Sequence, residues 1–271
     1  MYKKNNENRI KKTKNTTLTA VFTAVGVVLL WIGIWSFAAF RVGYEFILPS
    51  PLAVLKKLTA IIGEKGFFKT VVLSLLRVLF GFSLGALTGL IGAFLSYLIL
   101  PLKIFFSPLV RIVRATPVAS FILIAVLWIP SGSVPVFIAF LMVFPIVYLN
   151  VLTGLENTDK GLYEAAKIYR FSPYKKITLL YLPTVLPYFA SACMTSLGLA
   201  WKSSVAAEVL CVTRNSIGEK LYLSNLYLES AELLAWTVTV VLLSVGMEAL
   251  IKLIAKEVKK HSGRRYRHDH S

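Results

Sequence analysis

The sequence predicts an all-α polytopic membrane protein with six transmembrane helices and both termini in the cytoplasm. Three observations predict it. Of 271 residues, 56% are hydrophobic and 16% charged, and the mean hydropathy is +0.70, which is too apolar for an ordinary soluble domain. The apolar residues gather into runs that match the roughly 20 residues a helix needs to cross the hydrocarbon core. Lys and Arg outnumber Asp and Glu by 30 to 13. Much of that surplus lies at the two ends, as Lys3, Lys4, Arg9, Lys11, Lys12 and Lys14, and as Lys256, Lys259, Lys260, Arg264, Arg265 and Arg267. The positive-inside rule places such tails in the cytoplasm. A pI near 9.9 would suggest nucleic acid in a soluble protein, but membrane topology accounts for the charge here, and no nucleic-acid partner is expected.

The elements follow in order. A basic cytoplasmic tail, 1–17, precedes a charge-free run at 18–40. That run is longer than a signal-peptide core and reads as a retained first transmembrane helix. In the outer loop, 41–69, Pro49 and Pro51 precede Leu52, Val54, Leu55, Leu58 and Ile62 at helical spacing, which fits an amphipathic surface helix or a plain connector. The transmembrane domain, 70–254, contains spans at 70–100, 104–129, 134–153, 184–210 and 233–254. With the first run they make an even number, so both tails share a side and the loop at 155–183 is cytoplasmic. Gly81, Gly85, Gly89 and Gly92 lie along one side of the second span, where small residues let helix backbones approach closely. The third span holds Pro108, Pro117, Arg111 and Arg114, so its cytoplasmic half is expected to be kinked and partly to face protein or water. Ser131-Gly132-Ser133 makes an outer turn. A basic tail, 255–271, ends the chain, and disorder is expected in the first dozen residues and after Lys259.

Little in this chain suggests catalysis. Cys193 and Cys211 form no CxxC and have no His nearby, so neither a zinc site nor a disulfide framework is indicated. His261, His268 and His270 belong to a solvated basic tail, and no metal is expected. No nucleophile stands with a base, and no carboxylate pair sits in a polar cleft. Charges inside spans are costly and invite functional readings. Arg77, near the outer start of the second span, reads as a snorkelling side chain. Arg111 and Arg114 share a face near the inner mouth, where they contact the loop, meet an anionic substrate or simply anchor the helix. Lys202, Ser203, Ser204 and Glu208 in the fifth span are the better candidates for lining a pathway, and Lys202 and Glu208, six apart, do not stack on one helix face.

The cytoplasmic loop reads Glu156-Asn157-Thr158-Asp159-Lys160-Gly161-Leu162-Tyr163-Glu164-Ala165-Ala166-Lys167-Ile168-Tyr169-Arg170-Phe171-Ser172-Pro173. Leu162, Ala165, Ala166 and Tyr169 share a helix face, Asp159 can cap the start, and Ser172 before Pro173 is an N-cap with Pro at the first helical position. Two short helices at an angle are expected, suited to docking a soluble partner.

These residues resemble the EAA loop of ABC importer permeases, whose pattern is EAA, three residues, Gly, nine residues, then Ile-x-Leu-Pro. Glu164-Ala165-Ala166 is followed at the right distances by Leu180-Tyr181-Leu182-Pro183. Leu180 replaces the Ile, and Arg170 stands where the pattern has Gly, a position where a Cβ is costly if the turn is left-handed. The resemblance runs from about Leu48 to Ile254 and is closest to the sulfonate, nitrate and taurine branch. It includes Leu48-Pro49-Ser50-Pro51, Arg114-Ala115-Thr116-Pro117, Ala200-Trp201 and Ala207-Glu208.

The resemblance implies the MetI-like fold of type I ABC importers in the cell membrane. It implies coupling to a separate ATPase through Glu164, Ala165, Ala166, Tyr169, Arg170, Leu182 and Pro183. It also implies a second permease copy and an external binding protein. Arg114, Thr116, Pro117, Trp201, Lys202, Ser203, Ser204 and Glu208 are the expected pathway residues, for a small anion such as a sulfonate, nitrate or taurine. No GxxxxGK[ST] phosphate loop occurs, so ATP and Mg would be bound by the partner and no cofactor by this chain. A secondary transporter and a membrane-embedded enzyme or assembly factor are the alternatives; the one lacks evident inverted repeats, the other paired catalytic side chains.

Overall fold

A computed structural model describes residue 23 and residues 25–268, with side chains described through Leu253. The first dozen residues and His270 fall outside this range. All regular structure among the described residues is helical. The chain divides into two compact units, one made of residues up to Gly63 together with Ser224–Ala235, the other of Glu64–Leu223 and the residues from Trp236 onward.

In the first unit, α1 (Val25–Val42) is long and apolar enough to cross a membrane. Trp35 donates its indole N–H to the Pro49 carbonyl at 3.1 Å. Ser50 then caps α2 (Pro51–Ile62), accepting from the Ala53 N–H, with Pro51 in the first turn where its missing N–H costs nothing. The expected helix is present, but its buried residues are Val54 and Ile61, while Leu52 and Leu55 stay exposed. Lys57 pairs with Glu232 at 2.9 Å.

The second unit is built on α3 (Phe67–Leu98), α6 (Val134–Glu156) and α9 (Leu182–Leu210), with α6 packed between the other two. The glycines explain how closely α3 approaches α6. A Cβ on Gly81 would meet the Val136 carbonyl and the Ala139 methyl, one on Gly85 would lie 2.8 Å from Val143 Cβ, and one on Gly89 would lie 3.0 Å from the Phe144 carbonyl. Gly92 differs, since its nearest neighbours would be ring atoms at 3.7 Å. The helices therefore meet backbone to backbone at three of the four glycines and through aromatic rings at the fourth. Gly81→Leu is expected to cost about 3 kcal/mol or more, because the obstacle is backbone and cannot turn aside, whereas Gly92→Ala, whose Cβ meets only ordinary contacts, should be neutral or stabilise by up to about 1 kcal/mol. Thermal unfolding in detergent checks both.

The third span is broken into α4 (Leu100–Ala115) and α5 (Val118–Trp128), bent by 107°. Pro108 sits inside α4 without ending it, and the break comes at Thr116-Pro117. A residue before proline is pushed out of the α region, and Thr116 is extended, at φ −85 and ψ 134. Among the described residues, five helices are long and apolar enough to cross a membrane, and taking the bent pair as one span makes six. Val113, Ile122, Ala125, Val134, Ile138, Met142 and Ala207 close a buried cluster where α4, α5, α6 and α9 converge.

Two differences from expectation concern the outer and C-terminal segments. α10 (Ile217–Leu226) stands where no helix was expected, with Ser216 accepting from the Glu219 N–H and Glu219 accepting from the Asn215 N–H, a reciprocal cap like a capping box except that the glutamate reaches the residue before the cap. α11 (Ser230–His268) continues helical beyond Lys259, where a disordered tail was expected. That stretch has no proline, and Lys260, Arg264, Arg265 and Arg267 are good helix formers. Among the described residues no His, Cys, Asp and Glu group could hold a metal.

Candidate functional site

The loop between α6 and α9 folds as two short helices, α7 (Lys160–Ile168) and α8 (Pro173–Lys176), followed by a π-helical turn at Ile177–Tyr181. Asp159 caps α7 by accepting from the Gly161 and Leu162 N–H groups, and Ser172 caps α8 by accepting from the Lys175 N–H. The bend between them is a Schellman closure. The Phe171 N–H reaches the Ala166 carbonyl at 2.9 Å and the Arg170 N–H reaches the Lys167 carbonyl at 3.1 Å, leaving Arg170 left-handed at φ 49. A glycine would take that conformation without the Cβ penalty. Arg170→Gly is therefore expected to stabilise this loop by about 1 kcal/mol, detectable as slower proteolytic cleavage at 170–172.

On α7 only Ala166 is buried, while Leu162, Tyr163, Ile168 and Tyr169 are exposed, and Glu164 beside them is exposed too. Together these leave an apolar surface uncovered on a short polar helix. The far end of the loop is anchored. Tyr181 is buried and sets its ring edge-on to Phe94 at 5.9 Å and Tyr97 at 5.7 Å, both on α3. Leu182 and Pro183, next in chain, open α9 and are exposed. The loop thus runs from the exposed α7 to a tyrosine packed on α3 and on to the start of α9.

A second feature is a groove of about 600 Å³ between α4, α5, α6 and α9. Its polar lining comes from Arg114 and Thr116 at the break, Asn150 and Thr153 on α6, and Tyr188 and Thr195 on α9.

A third feature is a buried polar node. Glu208 is 0% exposed; its carboxylate accepts from the Ser74 hydroxyl at 2.8 Å, the Arg77 guanidinium at 3.3 Å and the Gly218 N–H at 3.2 Å. Ser74 accepts in turn from the Ile217 N–H at 3.0 Å, and Arg77 donates to the Arg214 carbonyl at 3.1 Å. Gly218 is required there, since a Cβ would lie 2.5 Å from the Glu208 carbonyl carbon and from the Val209 nitrogen. The node locks α3, α9 and the start of α10 together. Val212 and Asn215, both left-handed, shape the turn that brings α10 back.

Residues 81–260, well over half of the chain, match the family described as binding-protein-dependent transport system inner membrane component. The chain belongs to that family. The permease is 24% identical over 260 residues to the Bacillus subtilis chain that carries the name aliphatic sulfonates transport permease protein SsuC, covering 95% of this chain and 91% of that one. It is also 24% identical to the taurine transport system permease protein TauC of Escherichia coli, over 80% of this chain and 82% of that one. Among solved structures, it resembles a chain of an amino acid ABC transporter crystallised with histidines, with a TM-score of 0.57, 18% identity, and coverage of 71% and 94%. A chain of the MetNI methionine ABC transporter, in an inward-facing conformation, gives a TM-score of 0.52 at 17% identity, with coverage of 72% and 93%. These two similarities establish the fold, a MetI-like membrane bundle.

The structure does not gather the expected pathway residues into one site. Arg114 and Thr116 line the groove, with Pro117 fixing the break beside them. Trp201, Lys202, Ser203, Ser204 and Glu208 are absent from its lining. Trp201 is buried and donates to the Val240 carbonyl at 3.1 Å, and Ser204 donates to the Pro135 carbonyl at 3.1 Å. Ser203 is buried as well. Lys202 is exposed on the face of α9 that also carries Thr195 and Leu199, two residues of the groove lining, but lies beyond the groove itself. Arg77, expected to snorkel, is instead the counter-ion of Glu208. That pairing was missed because nothing local marks two residues 131 positions apart; an arginine and a glutamate, each in an apolar run, were the available signal. Asn150, Thr153, Tyr188 and Thr195 were missed because single polar residues in a span carry no pattern.

Proposed function

We propose that this permease translocates a small anion of sulfonate or taurine type, delivered by an external binding protein, in an ATP-driven importer. The observation that carries the proposal is α7, whose capped helix holds Glu164 and displays Leu162, Tyr163 and Tyr169 outward in a family of binding-protein-dependent permeases. In this reading Glu164, Ala165, Ala166, Tyr169 and Arg170 form the seat for a separate ATPase subunit, which binds ATP and Mg. Leu182 and Pro183 carry its movement into α9, and Tyr181 carries it to α3. Two permease copies face each other across the exposed side of α9, where Thr195 and Lys202 lie, and alternate between inward-open and outward-open states. The groove at Arg114, Thr116, Asn150 and Thr195 is the polar path.

The names of relatives support an anionic cargo, since two of them carry sulfonate-type names and a Synechococcus elongatus relative, 26% identical over 148 residues, is named a bicarbonate transport system permease. Arg114 supplies the positive charge that such a cargo would meet. Secondary transport gains nothing from the structure, because the buried carboxylate of Glu208 is consumed by three hydrogen bonds. The test is uptake into vesicles holding the permease, its ATPase and its binding protein. ATP-dependent accumulation of taurine or an alkanesulfonate is expected; accumulation of a neutral amino acid in their place would remove the substrate assignment, and uptake without ATP would remove the importer reading.

A further inference from the structure

At the end of the bundle where α6 meets the loop, α4 and α6 enclose a recess of about 500 Å³. It is lined by Lys103, Ser107, Arg111 and Arg114 of α4 and by Tyr148 of α6. At spacings of four, four and three, the α4 residues fall on one face of the helix. Lys103 donates to Glu156 at 2.6 Å, while Arg111 and Arg114 make no ion pair among the described residues. The recess therefore holds three cations against one carboxylate.

Tyr148 is a second, independent pointer. It is 1% exposed, and its hydroxyl is buried without a hydrogen-bond partner. A buried hydroxyl of this kind calls for a partner, a water or a bound group, and of the three such atoms among the described residues it alone belongs to a residue that lines this recess. A hydroxyl donor beside guanidinium groups matches the acceptor oxygens of a tetrahedral oxyanion.

The surroundings favour an amphiphile over a free anion. A contiguous recess of about 580 Å³ shares Lys103, Ser107 and Arg111 but is walled by Leu100, Ile104, Pro108 and Ile112. Ile104 is 65% exposed and Ile112 59%. A soluble oxyanion has no use for that apolar flank, whereas a lipid chain covers it.

We infer that this face of α4 binds the phosphate of an acidic membrane lipid. Arg111 pairs with the phosphate, the Tyr148 hydroxyl donates to one of its oxygens, and Ile104 and Ile112 lie along an acyl chain. The test is native mass spectrometry of the full-length chain purified in detergent with equal phosphatidylglycerol and phosphatidylcholine. Retention of phosphatidylglycerol is expected to exceed that of phosphatidylcholine by about tenfold. Arg111→Ala and Tyr148→Phe should each cut that preference several-fold while leaving thermal unfolding in lipid-free detergent unchanged or, for Tyr148→Phe, improved. Inorganic phosphate in excess should not displace the lipid. Equal retention of the two lipids, a preference indifferent to both substitutions, or displacement by inorganic phosphate would each overturn the assignment, the last in favour of a soluble anion.

Discussion

Replacing Glu208 by alanine is expected to destabilise the permease by about 3–5 kcal/mol, the cost of breaking a buried ion pair from one side. The substitution leaves Arg77 without its counter-ion and Ser74 and the Gly218 N–H without their acceptor. Each stranded donor loses water without regaining a partner. It also frees the start of α10, which is held to α9 by that carboxylate and by the contact that only glycine allows at 218. Glu208→Gln keeps the shape and one acceptor, so a smaller loss is expected. The double substitution Arg77→Met, Glu208→Leu should recover much of the deficit, because well-packed apolar side chains often replace a buried pair at little cost. Thermal unfolding midpoints of the four proteins in one detergent decide the matter. An alanine variant as stable as the parent would mean that the node contributes nothing to the fold.

How far the sequence reveals this molecule depends on how local each determinant is. The spans were legible because composition alone fixes a run of about 20 apolar residues. The caps of α7 and α8 were legible because Asp159, Ser172 and Pro173 act on backbone within three residues of themselves. Proline had to be weighed by position: Pro108 lies inside α4, while Pro117 marks the 107° break because the residue before it is forced extended. Arg170 shows the limit of a motif. The Gly expected there signalled a left-handed turn, and the chain makes that turn with an arginine, since the two closing hydrogen bonds at Ala166 and Lys167 outweigh the strain. The site was less legible than the fold. Whether a polar residue in a span faces a groove or a neighbouring backbone depends on helix rotation, which neighbours set. Ser204 bonds to the Pro135 carbonyl, and Lys202, two positions earlier, is exposed. The four-glycine stripe likewise read as one feature, and only the geometry separates Gly81, Gly85 and Gly89, pressed on α6, from Gly92.

The central claim is that α7 couples an ATPase to the spans, and a charge reversal on its exposed face tests it most directly. Glu164 is solvent-facing on a capped helix, so Glu164→Arg should leave the fold of the permease intact, with surface substitutions of this kind usually within about 0.5 kcal/mol. At a docking surface the same change sets a like charge or an unpaired one against the partner, at a cost of several kcal/mol. Substrate-dependent ATP hydrolysis and transport should then fall by about tenfold or more, while the permease alone unfolds at its usual temperature. The measurement is binding-protein-stimulated ATP hydrolysis by the reconstituted complex carrying Glu164→Arg. The account predicts loss of stimulation with an intact permease; hydrolysis at the parental rate in an intact complex would contradict it.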